Sequence, residues 1–428
     1  MISKLLPGLN ILTQYSRSYL TGDITAGIIV AILFIPQSMA YAVIAGVPPV
    51  IGLYAGTFPL LVYVIFGTSR HLSVGPVSIV SILAFSGVAA IAEPNSTQLI
   101  NFIIALGLMV GFIQLFMSLI NIGYLFNHIS HAVIGGFTSA AAIVIAVNQV
   151  DSILGITLSS YKSFDVFISE ILAKLPLLNL YSTGIGLGSI VLLVLFKKYL
   201  KLALGPLLVI AISTLFVATF QLHQAGLKIV GNVPKGLPEF TFPILSIQDL
   251  QLLLPTAFAI AFISFLESYA VAKAVAEKDN AQLSANHELV GIGLANITST
   301  LVGSIPVAGA LSRTAVNYQS GAKTNLSSLI TALLIFTTLL LFTSFFFYLP
   351  KAALAAIIIV AVTNLIEFKQ FVLLVRTTPF DAFIFIITFI GTLLVDIFFG
   401  LLIGIVLSIL FSLLKKTVFQ IAYNKSKN

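Results

Sequence analysis

The sequence predicts an all-α polytopic membrane protein whose fourteen transmembrane segments form two inverted sets of seven. Three observations carry this. Of 428 residues, 59% are hydrophobic and 8% charged, and the mean hydropathy is +1.11. So little charge does not cover the surface of a soluble globular domain. Apolar runs close to the roughly 20 residues that carry a helix across a bilayer recur from Asp23 to Lys416. Two of these runs are interrupted by Gly and Pro at matching positions of the two sets.

The first set is placed near residues 24–46, 50–66, 72–91, 98–120, 128–148, 181–196 and 202–221. The second is placed near 253–276, 285–303, 304–320, 325–348, 350–366, 380–396 and 398–416. Two more polar connections, around 149–180 and 222–252, hold most of the remaining chain. Residues 1–22 carry Lys4 and Arg17 but no clean apolar core or small-residue cleavage site, so they read as a cytoplasmic interfacial segment, not a signal peptide. An even number of spans puts both termini on one side. Fifteen of the 21 basic residues then fall on that side, five on the other, and Arg313 within the membrane. By the positive-inside rule both termini are cytoplasmic, and a plasma (inner) membrane location is expected. Because seven is odd, a duplicated half must sit upside down relative to the first.

Composition also excludes classes. There is no cysteine, hence no disulfide or thiolate metal site. The five histidines are scattered, apart from the His128/His131 pair at a loop-to-helix junction, so no metal and no cofactor is expected. The net charge of +7 is explained by basic residues beside spans, with lipid and not nucleic acid as the partner. No paired carboxylates, metal cluster or nucleophile–base set falls within the membrane, which argues against an enzyme.

The second interrupted run is Ser304-Ile305-Pro306-Val307-Ala308-Gly309-Ala310-Leu311-Ser312-Arg313. A charge at membrane depth costs roughly 2.5–3.5 kcal/mol on insertion scales, so it needs a partner or a task. A helix that restarts after Pro306 and Gly309 points unpaired N–H groups and a positive dipole end into the gap. Together with Arg313 this makes an anion site. The first interrupted run, His71-Leu72-Ser73-Val74-Gly75-Pro76-Val77-Ser78, has an extended-looking stretch, then Gly-Pro, then helix. Paired interruptions in two halves point to a transporter's central site.

Glu267 is the one acid placed deep in a span. Desolvation there favours its neutral form unless a cation holds it ionised. It is therefore a proton carrier, a counter-ion for Arg313, or both. Gln37 and Tyr41 in span one follow Pro36 and lie four apart on one helix face. They are ligand contacts or helix–helix hydrogen-bonding groups; the residue types alone do not separate the two.

Gly67-Thr68-Ser69-Arg70-His71, with Ser73-Val74-Gly75-Pro76 following, resembles the sulfate permease (SulP) family of anion transporters. So do Asn286-His287-Glu288-Leu289-Val290-Gly291-Ile292-Gly293-Leu294-Ala295-Asn296 and the run from Pro306 through Ser312-Arg313-Thr314-Ala315-Val316-Asn317. Pro36-Gln37 and Ile51-Gly52-Leu53-Tyr54 also fit. The resemblance implies short extended pieces in segments three and ten, and a core of segments one to four and eight to eleven (about 23–120 and 253–348). It implies a gate of segments five to seven and twelve to fourteen (about 128–221 and 350–416), a homodimer, and elevator-type alternating access. Substrate contacts would be Gln37, Tyr41, Val77, Ser78, Ser312 and Arg313, with Glu267 matching the family's span-eight acid. Members usually continue into a cytoplasmic STAS domain; here a short tail, 419–428, follows the last span.

The expected activity is secondary active transport of an inorganic oxyanion (sulfate or bicarbonate), with proton-coupled sulfate uptake ranked first. Protonating Glu267 would raise the charge of the site and favour a divalent anion. Sodium coupling ranks lower, because Val271, one turn on, offers no side-chain oxygen. The alternatives are bicarbonate or chloride exchange or uniport and, further off, a nucleobase–cation symporter, against which Arg313 argues.

Overall fold

A computed structural model describes residues 6–411 apart from 14, 90, 93–95, 122–129, 159–163, 201–204, 244, 280, 282, 364–365, 396–398 and 409. The tail 419–428, residues 1–5 and His128 lie outside the described residues. The chain is overwhelmingly helical. A short helix α1 (Pro7–Thr13) precedes α2 (Leu20–Ile44), whose 25 residues reach about 37 Å at 1.5 Å per residue, enough to cross a bilayer. It ends where Gly46, at φ +74°, donates to Val43 O while Val47 donates to Ala42 O, the paired closure a left-handed residue permits. Span two is split into α3 (Pro49–Tyr54) and α4 (Phe58–Phe66), each opened by a proline in its first turn.

Span three is strand β1 (Val74–Gly75) followed by α5 (Ser78–Ala89). Helix α6 (Thr97–Leu119), capped by Ser96, α7 (His131–Asn148) and α8 (Val150–Leu154) follow, then α9 (Phe164–Lys174), α10 (Leu180–Leu195) and α11 (Gly205–Thr219). The second half opens with α12 (Ile247–Lys278) and α13 (Ala285–Leu301). Span ten is strand β2 (Ala308–Gly309) followed by α14 (Leu311–Gln319). Then come α15 (Leu326–Thr337), α16 (Lys351–Val362), α17 (Phe368–Thr377), α18 (Pro379–Ile390) and α19 (Phe399–Ser408).

Among the described residues, seven helices are long and apolar enough to cross a membrane by length and composition, and five shorter apolar ones accompany them. Two departures from expectation stand out. α12 begins at Ile247 instead of 253, because Ser246 and Asp249 form a reciprocal capping box that extends the helix outward. The link between spans twelve and thirteen contains α17, which exposes Phe368, Leu373 and Val375 and carries Lys369 and Arg376, as in a helix lying at an interface.

Helices α2 to α6 pack mainly against α12 to α15: α13 on α6 and α4, α15 on α2, and α12 on α6. Helices α7 and α10 pack mainly on α18 and α16. Large side chains on the outer surface, such as Phe116, Leu119, Val191, Leu341 and Phe345, are exposed, as a face that meets lipid requires. Buried carboxylates tie loops to helix ends within the first group. Fully buried Glu288 accepts from Tyr63 Oη (2.7 Å), Thr68 N (2.6 Å), Thr68 Oγ1 and Ser69 N (3.0 Å). Fully buried Asp23 accepts from Lys323 N (2.7 Å), Thr324 N (3.0 Å) and Thr324 Oγ1 (2.7 Å).

Candidate functional site

The two interrupted spans meet. β1 and β2 pair antiparallel, with Val74 opposite Gly309 and Gly75 opposite Ala308. Each helix continues its own strand, so α5 and α14 leave the pair in opposite directions and both turn their N-termini toward the junction. No side chain caps α14 at Ala310, which leaves its first-turn N–H groups for a ligand. The extended backbone here is enclosed by protein, the condition under which a membrane interior tolerates it.

Arg313, the largest fully buried side chain described, lies at this junction. Its Nη2 donates to Pro76 O at 3.0 Å, its Nε to Ser73 Oγ at 3.4 Å and its Nη1 to Gln37 Oε1 at 3.5 Å. The guanidinium stacks over Phe34, 4.5 Å from the ring centroid. Gly75 makes room for this: a Cβ there would overlap the Phe34 ring and come within 3.1 Å of Arg313 Nη2. The rest of α14 is stitched to the segment leading into β1, Thr314 Oγ1 accepting from Ser73 N at 3.1 Å and Asn317 Nδ2 donating to His71 O at 2.9 Å.

Gln37, Tyr41, Val77, Ser78 and Arg313 are all buried, and the phenol of Tyr41 has Arg313 and Glu267 as its charged neighbours. Ser312 differs from the others. Its side chain is exposed, because a step of about 100° around the helix turns it away when Arg313 faces β1. Among the described residues no carboxylate forms an ion pair with Arg313. Glu267 interacts with it through space, and its Oε2 is buried without a hydrogen-bond partner. A direct Glu267–Arg313 counter-ion contact is therefore not formed here.

Phe34, Ser73 and Pro76 were not singled out by sequence. Phe34 precedes Gln37 by three residues and so shares its helix face, a signal that was present. Pro76 acts through its carbonyl, which no side-chain reading finds. Among the described residues the junction presents one fixed cation, backbone donors, an amide, a phenol and a hydroxyl. That set suits a small oxygen-rich anion.

The model of the sulfate permease family matches residues 20–388. The chain belongs to the sulfate permease family. "Sulfate transporter 4.1, chloroplastic" of Arabidopsis thaliana is 39% identical over 413 residues, covering 94% of this chain and 60% of that one. The chain thus spans about three fifths of that relative's length. The structure of the murine Solute Carrier 26 family member A9 anion transporter, in its inward-facing state, superposes with a TM-score of 0.90 at 25% identity, over 96% of this chain and 71% of that one. The transmembrane domain of a cyanobacterium bicarbonate transporter superposes at 0.77 and 22% identity, over 92% and 98% of the two chains, and shares the fold. Membership in this family and its apolar helices make the chain an integral membrane protein.

Proposed function

We propose that this sulfate permease family member is a secondary transporter that carries an inorganic oxyanion, sulfate by preference, bound between the N-termini of α5 and α14. The observation that carries the reading is Arg313, wholly buried at the β1–β2 junction and, among the described residues, with no carboxylate paired to it. An unneutralised cation in a membrane interior is stabilised by a mobile anion. Two helix ends of roughly +0.5 each and the guanidinium offer about two positive charges, matching a divalent oxyanion. Because the guanidinium is held by Pro76, Ser73 and Gln37, Arg313 acts as a fixed charge. Direct hydrogen bonds to substrate come from the helix-end N–H groups, that of Ser312 among them, and from Gln37, Tyr41 and Ser78, with Val77 shaping the wall.

In this reading Glu267 carries the coupling proton: its orphaned Oε2 supports a group that exchanges a proton during the cycle. The chain forms fourteen spans as two inverted sevens. Its core, segments one to four and eight to eleven, slides past a gate of segments five to seven and twelve to fourteen, the termini are cytoplasmic, and two copies associate. The separate packing of the two helix groups supports that division. Uptake of labelled sulfate and of bicarbonate into proteoliposomes, with and without an inward proton gradient, tests the proposal. Sulfate should accumulate only with the gradient. Gradient-independent equilibration would indicate exchange or uniport, and bicarbonate uptake alone would reassign the substrate.

A further inference from the structure

The span-ten strand has two edges, and β1 covers one. The other edge is built from side chains. Asn296 of α13 grips the Val307 peptide from both ends, its Oδ1 accepting from Val307 N at 2.8 Å and its Nδ2 donating to Val307 O at 3.0 Å. One residue past β2's first position, Gly309 N donates to Ser268 Oγ of α12 at 2.7 Å. Asn296 is itself held: its Nδ2 also donates to Gln114 Oε1 of α6 at 3.1 Å, and Gln114 Nε2 donates to Ala261 O (3.2 Å) and Ser264 Oγ (2.9 Å) of α12. Both amides are wholly buried. Their orientations are forced, since Val307 N is only a donor and Ala261 O only an acceptor.

We propose that Asn296, locked by Gln114, is a positioning residue for the anion site: it substitutes for a third β-strand and sets where α14, with Arg313, begins. The inference rests on the transport reading above and deepens it. A helix interior offers no free partner to a neighbouring strand, because its own N–H and C=O groups are already bonded. A carboxamide supplies one donor and one acceptor at the spacing of a peptide, so Asn296 does for Val307 what a strand neighbour would. Four spans thereby share one network, and α12 contributes both Ser268 to the strand and Glu267, next in sequence, to the site. The carboxamide touches no substrate position. Its effect on the anion is transmitted through the strand.

The test uses Asn296→Ala, which removes the grip, and Gln114→Leu, which leaves the grip but frees Asn296. Sulfate KM and kcat are measured in proteoliposomes beside thermal unfolding of the same preparations. Misplacement of a site by about an ångström costs up to about a hundredfold, so KM should rise about tenfold or more in Asn296→Ala and less in Gln114→Leu. Restoring the carboxamide one methylene further out, in Asn296→Gln, should recover part of the loss. A merely structural role would lower the unfolding temperature and leave KM unchanged, which overturns the proposal. If Asn296→Ala fails to fold, an unchanged KM in Gln114→Leu does the same. Because the chain has no cysteine, Ser312→Cys gives a unique label on the exposed first turn of α14. Its thiol-labelling rate needs no substrate. Equal rates with and without Gln114→Leu would overturn the positioning role even if the parent transports neither sulfate nor bicarbonate, an outcome that would instead refute the transport reading.

Discussion

Arg313 Nη2 donates to the carbonyl oxygen of Pro76 at 3.0 Å, joining two positions 237 residues apart. Pro76 stands just before the start of α5, and Arg313 lies in the first turn of α14. One bond therefore spans the gap between the two half-helices and places a cation beside both N-termini. The same guanidinium would draw an anion into that gap.

Removing the charge should separate binding from folding. Arg313→Gln keeps a neutral donor at the position from which Arg313 Nε donates to Ser73 Oγ, and should leave the folded yield close to that of the parent. Anion affinity should fall by about tenfold to a hundredfold, at 1.4 kcal/mol per decade. Equilibrium binding of labelled sulfate to purified protein measures this, and parental affinity would place the anion elsewhere.

Bulk at Gly75 acts on the same bond from the other side. In Gly75→Ala the methyl group would overlap the Phe34 ring and approach Arg313 Nη2, so ring and guanidinium must shift. Such overpacking typically costs about 1–3 kcal/mol. Thermal unfolding in detergent should show it, with anion affinity reduced in parallel. Loss of stability with unchanged affinity would mean that Phe34 stacking serves the fold alone.

Glu267→Gln fixes the protonated form. Sulfate binding and exchange should persist while accumulation driven by a proton gradient disappears. Binding, exchange and gradient-driven uptake on one preparation decide the matter. Intact gradient-driven accumulation would end the proton-carrier assignment.

At Glu288 the expectation is a folding defect. The carboxylate accepts from Tyr63, Thr68 and Ser69, and Glu288→Gln would turn an amide NH2 toward donors. A buried group deprived of its charged hydrogen bonds costs on the order of 2–3 kcal/mol. A parental unfolding temperature would contradict this.

Much of the fold was legible because hydrophobic length dominates it. The runs that became α2, α6 and α15 needed little beyond counting apolar residues. The breaks at Gly75-Pro76 and at Pro306 to Gly309 were also legible, since those residues stop helices for steric reasons and leave strands where the structure has β1 and β2. What sequence did not show is mostly pairing. That Arg313 would rest on Pro76 O and Phe34, not on Glu267, depends on how two distant segments approach. The start of α12 was missed because a capping box extends a helix through polar residues that hydropathy discounts. The family resemblance placed Ser312 and Arg313 together at the start of span ten, and the helix turn sends their side chains to different sides.

The central claim is a location: an oxyanion between the N-termini of α5 and α14, beside Arg313. Selenate replaces sulfate with a heavier, anomalously scattering atom of the same tetrahedral shape. Crystals of the protein grown in selenate, measured at the selenium absorption edge, locate it directly. The account predicts one strong anomalous peak at the junction, near the first turns that begin at Ser78 and Leu311, absent from crystals of Arg313→Gln. A peak outside that junction, or no peak there in protein that still transports sulfate, would contradict it.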